Sequence, residues 1–380
     1  MSGRPELGLV LACGRLFLGT AQDEEALQYL RLPLNWPRLF ETAGKEGMSG
    51  LLHSEVLRLA RVHNLDLPLD SHTRALHHIF TRNGAHFSEL LALRGALRQR
   101  GLQAIVLKGG ALIETVYRGQ LGLRPLSDLD LLVRGSDVHF IEEALLGRGL
   151  RPDSPSSLFF TNGMTAFDLH ADLVGAEWVG RKARAFRFDG EALWRDASRL
   201  YAQDPTLLVL SPSHQFLHLA VHGLKHSFSR LIWLIDLGLV SEKVKWEEII
   251  DLAQASGTLR PLAYALSGLE SLMGVKAPAW VHGSMPRLNW LERMFLRSVV
   301  RRGAMETPGD LIVAFSIPGA VGKLSYLTEL SFPGRGALGR HYPATPSWLL
   351  YPRRVLRVAS LGLREARRVG AVVTGRNGSA

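Results

Sequence analysis

Two aspartates separated by one residue are the side chains of this sequence that point most directly to chemistry. Asp128 and Asp130 lie in the segment 124–133, which we predict to be a strand. Because the side chains of a strand alternate between its two faces, both carboxylates should point the same way, with Leu129 and Leu131 opposite. Neighbouring carboxylates repel each other, and a bound cation removes that cost. Mg²⁺ is the cation we expect, since it prefers hard oxygen ligands and keeps positions open for water and phosphate oxygens.

A glycine pair lies upstream of these aspartates. Residues 104–107 are apolar and predict a short core strand, and Lys108, Gly109 and Gly110 follow directly. Glycine lets backbone amides approach a ligand closely, and a helix predicted over residues 111–117 would offer its N-terminus to phosphate oxygens. The same pattern is also typical of an ordinary tight turn between a strand and a helix.

Taken together, these segments are similar to a known superfamily. The Lys-Gly-Gly turn followed by Ser127-Asp128-Leu129-Asp130 resembles the DNA polymerase beta-like nucleotidyltransferases, and most of all the bacterial family described as uncharacterised nucleotidyltransferase. In that superfamily a glycine turn and a helix precede the Asp-x-Asp metal pair. The resemblance covers residues 104–173 well and the flanking helices loosely. Toxin-type nucleotidyltransferases share a similar pattern, so the motif does not fix the branch.

The resemblance also implies a third carboxylate on a later strand. A hairpin is predicted over residues 158–169, because an Asn-Gly pair separates two strand-like runs. Its second strand contains Asp168 within Asp-Leu-His, which matches the family segment and makes Asp168 the expected third metal ligand. Asp172 is the alternative, since alternation would place it on one face with Asp168 and His170. His170 itself is expected to contact substrate or to pack beside the site.

The reaction that the resemblance implies is transfer of a nucleoside monophosphate from an NTP such as ATP to an acceptor, with release of pyrophosphate. Two Mg²⁺ ions, with Mn²⁺ as an alternative, would be bound by the three expected catalytic residues, Asp128, Asp130 and Asp168. The residues expected to bind the nucleotide are Lys108, Gly109, Gly110, Arg124, Ser127, His222 and Lys225. Lys108 could instead pair with a carboxylate, and Arg124 and Ser127 could simply hold their loop.

The acceptor is expected to present a hydroxyl or phosphate group. A small molecule, a peptide and a glycan precursor all fit this description. Two alternative functions stay open. One is a toxin-like enzyme that adds nucleotides to tRNA, which the net charge of +10 favours slightly. The other is a catalytically silent nucleotide-binding module, against which the presence of all three carboxylates argues.

A stripe of histidines follows the predicted core. Ser211 and Pro212 should begin a helix by cap and first-turn chemistry. Along it, four histidines recur every four residues: His214, His218, His222 and His226. Histidines at this spacing can bind zinc together with a carboxylate, but more often they line a helix face and hydrogen-bond within the core. The family resemblance gives a third interpretation, in which His222, Lys225 and His226 close over the nucleotide.

The rest of the chain must position these residues. Its 380 residues are enough for two or three domains, and 46% of them are hydrophobic, which suits a globular protein. Helical spacing of apolar residues dominates outside the motifs. We therefore predict an α/β (α+β) fold, with a small mixed nucleotidyltransferase sheet and flanking helices embedded in a mostly helical chain. The predicted divisions are an N-terminal helical region at 1–101, the catalytic core at 102–205, a helical domain at 206–300 and a basic C-terminal helical extension at 301–380.

Cysteine content and hydropathy bear on the cellular location of the protein and on its relation to membranes. Cys13 is the only cysteine, which excludes an internal disulfide and agrees with the cytoplasmic location that we expect. No apolar stretch approaches the roughly 20 residues of a transmembrane helix. The Arg-rich helix predicted over residues 355–369 is expected to be a solvated or docking face. Contact with a membrane surface or RNA is the alternative.

Overall fold

A mixed sheet lies at the centre of the fold. The computed structural model describes residues 5–154, 157–174, 185–301, 312–335, 338–339, 342, 345–357 and 359–360. The strands within these ranges are β1 (Ala104–Val106), β2 (Leu129–Leu132), β3 (Arg151–Pro152), β4 (Phe159–Thr161), β5 (Ala166–His170), β6 (Ser198–Tyr201) and β7 (Asp204–Val209). They form one sheet in the order β3-β4-β5-β2-β1-β7-β6.

The strand pairing places β2 at the middle of this sheet. β2 is antiparallel to β1 and parallel to β5, and β1 is parallel to β7. Antiparallel hairpins, β4–β5 and β6–β7, extend the sheet on either side. The first of them is the predicted Asn-Gly hairpin. Its turn is closed by Asn162, whose Oδ1 accepts backbone N–H groups of Met164 and Thr165 at 3.1 and 2.8 Å.

Helices surround the sheet and account for most of the described residues. Before and within the sheet region they are α1 (Pro5–Phe17), α2 (Asp23–Leu30), α3 (Trp36–Lys45), α4 (Ser49–His63), α5 (Asp70–Gln99), α6 (Lys108–Thr115), α7 (Val138–Gly147) and α8 (Gly190–Arg195). After it they are α9 (Pro212–Lys225), α10 (Leu231–Ser241), α11 (Trp246–Ser256), α12 (Leu259–Gly268), α13 (Ala279–Gly283), α14 (Trp290–Arg301) and α15 (Ala320–Ser331). None of the described helices is both long enough and apolar enough to cross a membrane.

The predicted second strand is shorter than the sequence indicated. Residues 124–128 were expected to belong to it, but they form a loop that leads into β2. The reason is a side chain of α5 that takes up the backbone groups of this loop. Asn83 donates from Nδ2 to the carbonyl oxygen of Arg124 at 2.8 Å, and its Oδ1 accepts from the N–H of Leu126 at 3.1 Å. These groups are therefore not available to a strand ladder.

Apolar side chains form a separate core on each face of the sheet. One face packs under α5 and α7 and includes Leu129, Leu131 and Phe167. The other face includes Leu132 and Ile105. A third and larger core joins the N-terminal helices to the helices that follow β7. The strand faces therefore alternate as the sequence predicted, with Leu129 and Leu131 on one side and Asp130 on the other.

The predicted fold class is confirmed, since the described residues form one mixed sheet within a mostly helical chain. The division into four regions stays a prediction. The shared core of the N-terminal helices and the helices after β7 shows that these two regions pack against each other. In the C-terminal region, residues 350–357 are helical, whereas residues 361–369 of the predicted Arg-rich helix lie outside the described residues.

Candidate active site

Two neighbouring parallel strands bring the predicted metal ligands together. β2 pairs with β5 so that Asp130 lies directly opposite Asp168, and Leu132 opposite His170. Opposite residues of paired strands share a face, and so do alternate residues of one strand. Asp130, Asp168 and His170 therefore project from the same side of the sheet.

These three side chains form a compact set of candidate metal ligands. Within the described ranges they are the one group of three or more His, Cys, Asp or Glu residues whose ligand atoms all lie within 4.8 Å of one another. Nε2 of His170 lies 2.8 Å from Oδ1 of Asp130 and 3.1 Å from Oδ2 of Asp168. Two carboxylates, together with an imidazole in its neutral form, suit a divalent cation. Sequence reasoning did not name His170 as a ligand, although its alternation with Asp168 already placed both on one face.

Asp128 lies one residue before β2 and outside that group. It is half-buried, and the Ser127 hydroxyl donates a hydrogen bond to its Oδ1. Arg82 of α5 donates to the Ser127 carbonyl oxygen at 3.3 Å and so ties this turn to the helix. Burial, together with repulsion from the Asp130 carboxylate, raises the pKa of Asp128 above its ordinary value. Metal binding by Asp128 and nucleotide binding by Ser127 stay predictions.

Lys108 begins α6 with an unusual backbone conformation. Its φ of 45° lies in the left-handed region that residues other than glycine rarely adopt. Such a conformation persists only where the surroundings hold it, and it is common at functional sites. The Lys108 ammonium group pairs with Oδ1 of Asp130. The structure therefore shows the carboxylate contact that sequence analysis named as one of two roles for this lysine, and its contact with phosphate stays a prediction.

Two basic side chains balance the buried charge of Asp130. Burial alone would raise the pKa of Asp130, but the neighbouring Lys108 and His170 lower it well below its ordinary value. Burial also opposes protonation of His170, yet the hydrogen bonds to Asp130 and Asp168 outweigh it and raise the pKa of His170 to about 9. At neutral pH Asp130 is therefore ionised and His170 is protonated. The site is built to hold positive charge beside its two strand aspartates.

Gly109 and Gly110 form the first turn of α6, where close packing requires glycine. A Cβ atom on Gly109 would lie 2.1 Å from Nη1 of Arg124 and 2.4 Å from Cδ2 of Leu126. A Cβ atom on Gly110 would lie 2.8 Å from Cδ2 of Leu129. The first N–H groups of a helix have no acceptor within the helix, which suits them to bind an anion. The structure thus gives the glycines a packing role, and their contact with phosphate stays a prediction.

Arg124 lies against this glycine turn and forms a buried ion pair with Asp236 of α10. Its Nε and Nη2 atoms donate to Asp236 at 3.0 and 2.8 Å. The Tyr117 hydroxyl donates to the same carboxylate at 2.8 Å, and all three side chains are buried. From the sequence, Arg124 was expected to position phosphate or to hold its loop. The structure shows the loop-holding contact, and contact with phosphate stays a prediction.

The partners of this loop were not among the predicted residues. Asp236 is the one charged residue in the apolar run 231–240, which was a local signal for a buried partner. No such signal marked Asn83, because polar and apolar residues are mixed around it in α5 and one more polar residue does not stand out. Both residues hold the loop that precedes β2 from helices that lie far away in sequence.

A cleft of about 770 Å³ is lined both by the acidic strands and by a helical wall. Its acidic side is lined by Asp128, Asp130, Asp168 and His170, with Lys108 and Gly109 beside them. The helical wall is formed by the end of α9 and the start of α10, with the side chains His222, Lys225, His226, Arg230 and Trp233. The predicted nucleotide residues His222 and Lys225 thus line the same cleft as the aspartates. Arg230 and Trp233 were not predicted as site residues.

The helical wall is both aromatic and cationic. The ring of Trp233 lies 5.3 Å from those of His222 and His226, measured between ring centroids. The guanidinium carbon of Arg230 lies 6.0 Å from the centroid of the Trp233 ring. Such a wall offers stacking surface to a nucleobase and positive charge to phosphate groups.

The histidine stripe of α9 does not form a zinc site in the described part of the chain, where the only metal-like group is the one on β2 and β5. Nδ1 of His214 lies 2.9 Å from the Ser211 hydroxyl, next to the predicted helix start. His218 is buried and lines a cavity of 40 Å³ together with Lys108 and His170. Burial, with the nearby positive charge of Lys108, lowers the pKa of His218 to about 3.

One comparison with known proteins gives a match. The family model described as "Uncharacterised nucleotidyltransferase" matches residues 33–274, a range that includes the sheet, the aspartates and the helical wall of the cleft. No curated protein and no solved structure matches the chain.

Proposed function

The chain belongs to the uncharacterised nucleotidyltransferase family, and on this basis we propose that it transfers a nucleoside monophosphate from an NTP to a hydroxyl or phosphate group of an acceptor, releasing pyrophosphate. Nucleotidyl transfer is the reaction class of the family, and the metal, the NTP and the acceptor are our proposal. One observation supports it above the others. Asp130 and Asp168 lie in register and line a cleft that is also lined by the cationic and aromatic helical wall.

We assign Asp128, Asp130 and Asp168 to two Mg²⁺ ions, with Mn²⁺ as the alternative, and His170 to the hydrogen bonds that orient Asp130 and Asp168. The donor set fits such ions, because three carboxylates supply hard oxygens. When bound, divalent ions neutralise the triphosphate and lower the pKa of the acceptor hydroxyl.

The nucleotide would lie between the glycine turn and the helical wall. The amides of Gly109 and Gly110 at the start of α6 suit phosphate oxygens, and Lys108 adds positive charge beside them. Lys225 and Arg230 line the same cleft and suit the rest of the triphosphate. Because phosphoryl transfer depends on positioning and on neutralising charge, these contacts supply much of the catalysis.

Asp168 suits the role of proton acceptor. Its side chain is one-third exposed, whereas that of Asp130 is nearly buried. An acceptor hydroxyl in the cleft can therefore reach Asp168, and the hydrogen bond from His170 fixes the orientation of this carboxylate.

The test is transfer of label from each α-labelled NTP, with cell extract as the source of acceptor. We expect transfer that requires Mg²⁺ or Mn²⁺ and is lost in Asp130→Asn. The matched control is Asp153→Asn, which makes the same change on an exposed aspartate beside β3. Equal labelling of the same species by the native protein and Asp130→Asn would refute the assignment. Tight NTP binding without turnover under any metal would support the silent binding module instead.

The tRNA alternative gains little from the net charge. Residues 275–380 hold 16 of the 45 Lys and Arg residues but only 5 of the 35 Asp and Glu residues. The remainder of the chain, which includes the cleft, is therefore close to neutral, and we favour a small hydroxylated or phosphorylated molecule, a peptide or a glycan precursor as acceptor. Label recovered in the tRNA fraction would reverse this preference. We place the reaction in the cytoplasm, where a lone cysteine stays reduced.

A further inference from the structure

The positive charge of this protein is concentrated outside the part that matches the family. Residues 275–380 contain 16 basic and 5 acidic residues, whereas residues 1–274 contain 29 basic and 30 acidic residues. The whole excess of the chain thus lies beyond the matched range of 33–274. The cleft chemistry does not account for this excess, because the residues that line the cleft lie within that range.

Large apolar side chains are exposed in the same region. On the helix over residues 350–357 and the turn before it, Trp348 is 74% exposed and Leu356 is 71% exposed. Helix residues four apart share a face, so Pro352 and Leu356 lie on one side of this helix. Trp348 lies in the 3₁₀ turn (Ser347–Leu349) that leads into it. Arg353 and Arg357 are also exposed on this helix. An apolar stripe flanked by arginines is typical of a helix that lies on a membrane surface.

A second exposed stripe lies next to the first. On α15, Val321 is 84% exposed and Leu324 is 68% exposed, and Phe332 just after the helix is half exposed. The guanidinium group of Arg354 donates to the carbonyl oxygen of Leu330 at 2.6 Å. This hydrogen bond joins the end of α15 to the helix that contains Leu356.

We propose that α15, Phe332 and residues 345–357 dock the protein on an anionic lipid surface. Negatively charged headgroups would pair with the arginines, and Trp348 and Leu356 would enter the boundary between headgroups and acyl chains. The protein would lie on the bilayer, since none of the described helices can span one.

Other occupants fit the surface less well. Nucleic acid is bound by basic and polar side chains and would leave the exposed Val321, Leu324 and Leu356 without a role. A second copy of the chain would bring two strongly basic segments together, which repel each other. An anionic lipid surface satisfies both the charge and the apolar stripes.

The experiment is cosedimentation of the full chain with lipid vesicles. We expect it to sediment with vesicles of phosphatidylcholine containing about 30% phosphatidylserine, but not with phosphatidylcholine alone. Binding should weaken as NaCl rises from about 0.05 to about 0.5 M, because salt screens the headgroup charge. The double variant Trp348→Ser/Leu356→Ser should lower the partition coefficient about tenfold or more, since each apolar side chain contributes transfer free energy.

Controls place the same changes elsewhere. Val62 of α4 is also exposed, so Val62→Ser tests the loss of an apolar side chain outside the surface and should bind as the native protein does. Arg353→Glu/Arg357→Glu is a second variant that leaves the apolar stripe intact and should abolish binding. Arg61→Glu/Arg98→Glu, two exposed arginines of α4 and α5, should keep most of it.

Three results would overturn the proposal. The native protein could stay in the supernatant with anionic vesicles. The two surface variants could fold and still bind vesicles as the native protein does. Finally, the native protein could fail to bind vesicles but bind single-stranded RNA, which would assign the surface to nucleic acid. It could also fail to bind vesicles but form a dimer that the serine variant does not form, which would assign the surface to a second copy of the chain.

Discussion

Replacing Arg124 with methionine should destabilise the fold strongly, because it breaks a buried ion pair. Nε and Nη2 of Arg124 lie 3.0 and 2.8 Å from the Asp236 carboxylate, which is fully buried. The substitution would leave this carboxylate with the Tyr117 hydroxyl as its remaining hydrogen-bond donor among those described. Removing one partner of a buried pair typically costs about 3–5 kcal/mol. Since whole domains have free energies of unfolding of about 5–15 kcal/mol, this is a large fraction.

The reverse substitution and a combined variant test the reasoning. Asp236→Leu should cost about as much as Arg124→Met, since it leaves an unpaired guanidinium group in the same place. Replacing both charges by apolar side chains removes the unpaired charge, and adding Tyr117→Phe removes the hydroxyl that would lose its acceptor. The triple variant should therefore be within about 2 kcal/mol of the native protein, far from the sum of the single changes.

The measurement is urea unfolding followed by circular dichroism at pH 7.5. A decrease in the free energy of unfolding of less than about 1 kcal/mol for Arg124→Met would refute the argument, because an unpaired buried carboxylate destabilises a fold by more than that. A triple variant no more stable than the single variants would refute it equally. Turnover of the triple variant gives a separate result: loss of activity with recovered stability would support contact between Arg124 and the nucleotide.

Three further perturbations follow from the same geometry. Gly109→Ala should lower turnover roughly a hundredfold, because its Cβ would collide with Arg124 and shift the loop, whereas Gly84→Ala in open space on α5 should not. Burial lowers the pKa of His72 to about 4, so between pH 6.5 and 4 the unfolded chain binds more protons than the folded chain. The free energy of unfolding should therefore decrease as the pH is lowered through this range. The decrease should be smaller in His72→Phe than in the exposed control His139→Phe. Adding Mg²⁺ after EDTA treatment should raise the Tm of the native protein, but not that of Asp130→Asn.

Short-range patterns were enough to predict the acidic strands. The alternation of Asp130 with Leu129 and Leu131, the Lys-Gly-Gly turn and the hairpin that contains Asp168 each depend on fewer than about ten consecutive residues. Strand alternation and turn chemistry are local properties, so they survive whatever the rest of the chain does. The helix start at Ser211 is local in the same way, and the Ser211 side chain indeed accepts from the N–H of His214.

Tertiary structure decided which of these residues meet. Only the parallel pairing of β2 with β5 sets Asp130 opposite Asp168, and a shift by one residue would have moved one of them to the other face. The pair between Arg124 and Asp236 joins residues 112 positions apart, and Trp233 reaches the cleft through the packing of α10. Such contacts depend on how helices and sheet pack in three dimensions, and no periodicity in the sequence encodes them. The sequence by itself thus determined the chemical groups and the faces from which they project, while long-range packing decided their partners and closed the cleft around them.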